Sequence, residues 1–167
     1  YEISFNSENN DFIFFYEKKN NGQSKPIKML NIKHGLASTA VQINENQVVA
    51  LPEKMSKLFC GLPLIGTETI GLPIIINSLE FLPSVERNGI ELSPNDSKNR
   101  SICLDAIELY KKLIKILIER KLSGLFNIAY IRNTFNGTEP SKIWFKTILI
   151  KKFIEHLLNS DVVTNVN

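Results

Sequence analysis

Cysteine, histidine, tryptophan and methionine are all scarce in this 167-residue chain, and each scarcity removes a class of function. Two cysteines, Cys60 and Cys103, are too few for the disulfide framework of a small secreted domain. Both stand in apolar runs, Leu58-Phe59-Cys60 and Ile102-Cys103-Leu104, which suits buried thiols better than a thiolate nucleophile. His34 and His156 are isolated, so neither a His-only nor a Cys/His zinc site is expected, and no orienting third group makes a nucleophile of Cys60 with His34. No secretory leader is expected, and no apolar run is long enough to span a bilayer as a helix; a cytoplasmic protein is the expectation. Gly61, Gly66 and Gly71 are not followed by Gly-Lys-Ser/Thr, which excludes a phosphate-binding loop of that type.

Charge excludes a further class. Twenty basic against seventeen acidic residues leave a net charge of +3, too small and too evenly spread to make nucleic acid the main partner. Sixteen of the twenty basic residues are lysine, which fits a solvated surface rather than a phosphate-reading face. The lysines from Lys111 to Lys121 read as one such face. Asn99-Arg100-Ser101 and Asn136-Gly137-Thr138 match the glycosylation triplet, a pattern common by chance.

What is present is the material of one globular domain, with 43% hydrophobic and 22% charged residues. Strand patterns occur at Tyr1–Phe5, Phe12–Tyr16, Ala37–Ile43 and Gln47–Leu51, with turn signals at Asn20-Asn21-Gly22 and Asn44-Glu45-Asn46. Apolar runs at Lys57–Leu64 and Leu72–Ile76 are punctuated by Gly and Pro. From Ser97 the period changes: Ile102, Ala106, Leu109, Leu113, Ile116 and Leu117 recur at helical spacing. Asn95, Asp96 or Ser97 is placed to cap that helix, and Gly124 to lie just beyond its end. A second helix is expected from Ser141 to Leu158 after Pro140, with Trp144 and Phe145 in the core, and a short strand at Val162–Thr164. Together these predict an α+β domain over 1–167, sheet-rich in 1–92 and helix-rich in 93–167, with a mixed sheet covered on one face by helices. The opening Tyr1-Glu2-Ile3-Ser4-Phe5, strand-like and without methionine, predicts a piece cut from a longer polypeptide.

The segment from Lys57 to Leu92 is the most informative. Leu62-Pro63 and Leu72-Pro73 flank the Gly66-Thr67-Glu68-Thr69 turn; the apolar Ile74–Ile76 strand, Asn77 and a Ser-Val-Glu-Arg-Asn-Gly loop carrying Arg87 follow, and then the long helix. This order, Leu-Phe-Cys, Leu-Pro-Leu, Gly-Leu-Pro, Ile-Asn, Arg-Asn-Gly-Ile, resembles the segment that follows the ATP-binding module in sacsin-like ATPases. Leu72 through Arg87 and the helix after it are also similar to the middle, transducer-like domain of the ninety-kilodalton heat-shock chaperones, within the GHKL superfamily.

The resemblance implies a chaperone-like middle domain that docks on an upstream ATP-binding module of the same chain and gives it a basic side chain for the γ-phosphate. The matching position here is Arg87; Asn77 is the second candidate at the nucleotide site, orienting the arginine loop, or else it ends its strand in an Asx-type turn. A guanidinium suits that task because its planar fork donates two hydrogen bonds to phosphate oxygens. ATP and magnesium would belong to the longer protein: this segment lacks the superfamily's helical acid-and-asparagine pair, its Asp-x-Gly-x-Gly loop and its glycine-rich lid, so alone it is expected to bind no cofactor and hydrolyse nothing. The competing readings are a solvated Arg87 paired with Glu86 or Glu91, and a protein-interaction module that senses no nucleotide.

Overall fold

The computed structural model describes residues 2–4, 12–18, 24–160 and 162. The fold is α+β, a mixed β-sheet packed against helices. The strands are β1 (Glu2–Ser4), β2 (Phe12–Lys18), β3 (Ser24–His34), β4 (Ala37–Asn44), β5 (Gln47–Val49), β6 (Leu58–Cys60), β7 (Leu62–Pro63) and β8 (Ile75–Asn77). Among the described residues they form one sheet in the order β1-β2-β3-β4-β8-β6-β7, with β5 also paired to β4. All pairings are antiparallel except β6 with β8.

Turn chemistry sets the register of the central hairpins. His34 pairs with Ala37 across Gly35-Leu36, and Asn44 with Gln47 across Glu45-Asn46. In each two-residue turn the first residue takes positive φ, 57° at Gly35 and 51° at Glu45, which matches the turn to the twist of the strands. β3 is a strand that the sequence pattern did not announce, and with eleven residues it is the longest. The expected Asn20-Asn21-Gly22 turn lies outside the described residues, as does most of the strand expected at 162–164; Val162 itself lies in a turn.

Helix α1 (Ser97–Glu119) lies across β3 and β4. Its buried stripe includes Ile102, Ala106, Leu109, Tyr110, Leu113 and Leu117, which meet Leu30, Val41 and Ile76 from one face of the sheet. Each leucine or isoleucine among them removed from water stabilises the fold by about 1.5–3 kcal/mol, an upper figure because unfolded chains already bury some surface. The opposite face carries a smaller cluster of Ile27, Met29, Ala40, Met55, Phe59 and Ile75. The lysine face of α1 is exposed at Lys111, Lys112 and Lys115, and Lys121 just beyond the helix is exposed too.

The ends of α1 correct the sequence reading. Asp96 occupies the N-cap position but makes no capping bond; its carboxylate accepts instead from the Ser93 N–H and hydroxyl. The helix stops at Lys121, left-handed at φ 54°, with the Leu122 N–H returning to the Leu117 carbonyl. Gly124 is not that stop. It allows close backbone approach, since a Cβ there would lie 2.3 Å from the Val48 carbonyl oxygen.

After a single helical turn, α2 (Phe126–Ala129), the last helical stretch begins at Glu139, so Pro140 falls inside its first turn rather than before it. It comprises α3 (Glu139–Trp144), six π-helical residues (Phe145–Ile150) and α4 (Lys151–Leu158). The wider turn brings Phe145, Leu149, Ile150 and Phe153 to the core. Phe145 stacks on Phe135 with ring centroids 4.8 Å apart, and Tyr110 tilts against Phe153 at 4.6 Å.

Candidate functional site

The residues singled out from the sequence gather at the β6–β7 end of the sheet. Arg87 lies near the tip of a short loop closed by an antiparallel bridge between Pro83 and Ile90. The loop is locally saturated: the Ser84 N–H bonds the Gly89 carbonyl at 2.9 Å, and the Arg87 N–H bonds the Ser84 carbonyl at 2.9 Å. The Ser84 hydroxyl donates to Asn88 Oδ1 at 2.7 Å and accepts from the Asn88 N–H at 3.1 Å. Arg87 itself is left-handed, φ 53°, a geometry shared with Glu45 and Lys121, so it reflects tight turning and does not by itself mark function.

The Arg87 side chain is exposed. Its Nη2 donates to the Cys60 carbonyl at 3.4 Å, and among the described residues it forms no ion pair. Neither Glu86 nor Glu91 pairs with it. The Glu91 carboxylate instead accepts from the hydroxyls of Thr138 and Ser141, both at 2.6 Å. Partial burial alone would raise the Glu91 carboxyl, but these hydrogen bonds win and hold it below the usual carboxylate range. Two other arginines rest on aromatic rings: Arg100 lies over Trp144 at 5.2 Å and Arg132 over Tyr130 at 4.6 Å.

Asn77 ends β8, and its Oδ1 accepts from the Gly61 N–H at 3.1 Å. It therefore fixes the residue next to Cys60, whose carbonyl holds Arg87. The two candidates meet the same tight turn from two sides, Asn77 through Gly61 and Arg87 through Cys60. Gly61 has φ 70°, and a Cβ there would come within 2.8 Å of the Leu79 side chain. Gly66 abuts the Asn88 carbonyl, 3.0 Å from where its Cβ would stand. Three loops thus pack against one another, and they leave large apolar side chains in water around Arg87. Val85 is 97% exposed, Leu79 76% and Ile65 73%, with Leu62 and Leu82 also exposed.

The other sequence candidates resolve into structure. Thr67 is buried, accepts from the Lys57 and Leu58 N–H groups and donates to the Leu64 carbonyl, so the Gly66–Thr69 segment is a built inter-strand turn. Cys103 is buried, and desolvation pushes its thiol up to about 12, which keeps it from acting as a thiolate. Cys60 is half-buried, with its sulfur against the Leu79 and Phe81 carbonyls. Among the described residues no group of three or more His, Cys, Asp or Glu is placed to hold a metal ion. Among the described residues no helix is long and apolar enough to cross a membrane.

One residue was missed. Asn99, noticed only as a glycosylation triplet, is 1% exposed and bonds the base of the arginine loop. Burial rules it out as a glycan acceptor, and the Asn136 amide is engaged by the Gly66 carbonyl and the Thr69 hydroxyl. The retrospective signal is a polar residue on the apolar stripe of α1, three positions before Ile102. Comparisons of the chain with family models, curated proteins and solved structures find no match.

Proposed function

We propose that this chain is the coupling domain of a chaperone-like ATPase, with Arg87 supplied to the γ-phosphate of nucleotide held by an upstream ATP-binding module. The finer resemblance, to the middle-domain fold of heat-shock chaperones, belongs to the same proposal and rests on Leu72 through Arg87 and the helix after it. One observation carries the reading: Arg87 is exposed at the end of the sheet, without an ion pair among the described residues, on a loop stiffened by its own hydrogen bonds. A guanidinium presented in this way reaches an anion on a docked surface without first breaking a salt bridge, and ordering it costs little entropy. ATP and magnesium would be bound by the upstream module. Arg87 would stabilise charge that builds on the transferring phosphoryl group, with Asn77 holding the turn against which the guanidinium rests.

The exposed apolar side chains around Arg87 favour a second reading, a docking surface for a protein partner with no nucleotide involved. ATP turnover by the full-length polypeptide separates the two. Under the coupling reading, Arg87→Ala lowers turnover on the order of 100-fold or more while nucleotide affinity changes little, because the contact acts mainly in the transition state. Unchanged turnover removes Arg87 from the reaction and leaves the interaction surface as the better account.

A further inference from the structure

We infer that Asn99 is the positioning residue for Arg87, and that the first turn of α1 is the lever that sets where the arginine points; this rests on the coupling reading above. Three consecutive residues of that turn grip the segment bearing Arg87. Lys98 pairs with Glu80 at 2.6 Å on the surface. Asn99 inserts its carboxamide between the two ends of the loop: Oδ1 accepts the Leu82 N–H at 2.9 Å, and Nδ2 donates to the Leu82 and Glu91 carbonyls, both at 3.0 Å. Arg100 donates from Nε to the Leu92 carbonyl at 2.8 Å.

The chemistry at Asn99 is specific. One acceptor and two donors on a single short planar group match one N–H and two carbonyls at the neck of the loop. Aspartate keeps the acceptor but turns an anionic oxygen toward two carbonyls. An apolar residue leaves all three partly buried backbone groups without this partner. The downstream end is also held from the other helix, because the Ser141 hydroxyl accepts the Leu92 N–H at 2.7 Å and donates to Glu91. Among the described residues the upstream end has no bond to that second helix: Leu82 is bonded to Asn99 through both its N–H and its carbonyl, and Glu80 to Lys98 of the same turn of α1. Sliding α1 against the helix that begins at Glu139 would therefore tilt the loop and displace Arg87, which sits beyond this neck.

The test is a double-mutant cycle in the full-length polypeptide with Asn99→Ala, Arg87→Ala and the pair, reading turnover and nucleotide affinity. The expected result is a 10- to 100-fold loss of turnover for Asn99→Ala, with affinity within about twofold of wild type. The pair should be no slower than Arg87→Ala alone, since a misplaced arginine and a missing one fail in the same step. Asn99→Asp should also lose turnover despite its similar shape. Hydrogen exchange guards against simple misfolding: amides of residues 82–91 should exchange faster in Asn99→Ala while Leu109 and Leu113 stay protected. Losses that multiply in the pair, or full activity in Asn99→Ala, overturn the positioning role. If Arg87→Ala itself leaves turnover intact, the coupling reading fails separately. The exchange pattern then decides whether Asn99 holds the loop at all, and unchanged exchange at 82–91 overturns that too.

Discussion

Replacing Gly71 by alanine tests whether the segment after α2 is locked to the loop between β7 and β8 as closely as the structure shows. A Cβ at Gly71 would stand 2.0 Å from the Arg132 carbonyl oxygen and 2.5 Å from its carbonyl carbon, both backbone atoms that cannot swing aside like the end of a side chain. The two segments are also bonded, Gly71 N–H to the Thr134 carbonyl at 3.0 Å and Arg132 N–H to the Gly71 carbonyl at 2.9 Å. Relieving the overlap means separating the chains by more than an ångström, which breaks both bonds. At about 1 kcal/mol each, with a further share for buried groups left unpaired, the loss is about 2–4 kcal/mol. For a chain of this length that corresponds to a melting temperature lower by roughly 5–15 °C. Urea and thermal unfolding followed by circular dichroism read it directly. Gly89→Ala is the control: a Cβ there meets nothing within 4 Å, so its stability should stay within about 1 kcal/mol of wild type. A Gly71→Ala midpoint equal to that of Gly89→Ala would show that 71 and 132 are not in contact and would refute the argument.

Two other perturbations follow from single residues. Arg87 sits at φ 53°, where an L-residue pays about 1 kcal/mol that glycine avoids, so Arg87→Gly should be more stable than Arg87→Ala by about that amount in urea unfolding, while both lose turnover alike. Equal stability would place Arg87 outside the left-handed region. Lys57 is 7% exposed and donates Nζ to the Met55 carbonyl at 2.9 Å; burial pulls its ammonium below the usual lysine range, the Glu68 carboxylate partly opposes this, and the charge of Arg132 adds to it. The folded chain therefore holds that proton more weakly than the unfolded chain. Stability from this group rises with pH between the lowered folded value and the ordinary one near about 10.4, and is forfeited below that window. The urea midpoint of wild type should gain on that of Lys57→Met as pH is raised from 7 to 10; parallel profiles would contradict it.

The helical half was readable because α1 buries one face and wets the other, so Ile102, Ala106, Leu109, Leu113 and Leu117 mark its stripe without ambiguity. β3 was not readable, for the opposite reason. Both faces of the sheet are covered there, Leu30 in the large core and Met29 in the small one, and two adjacent buried residues erase the alternation that announces a strand. The stop of α1 was misplaced because a lysine, not a glycine, takes the left-handed position. The π-helical residues leave no local signature, since the extra residue per turn is drawn in by tertiary packing of Phe145 and Phe153. Arg87 and Asn77 were singled out through the order of Gly, Pro and Asn punctuation around them, and the structure brings both to the Cys60-Gly61 turn. Asn99 was not, because its partners are backbone groups eight and seventeen residues away that no sequence motif encodes.

The claim that matters most is that the Arg87 surface closes on a nucleotide-loaded module, and hydrogen exchange on the full-length polypeptide, with and without a non-hydrolysable ATP analogue, addresses it most directly. The account predicts that the analogue slows exchange at residues 61–66 and 79–90 while the exposed lysine face of α1 is unchanged. Exchange in those segments that is indifferent to nucleotide would contradict it.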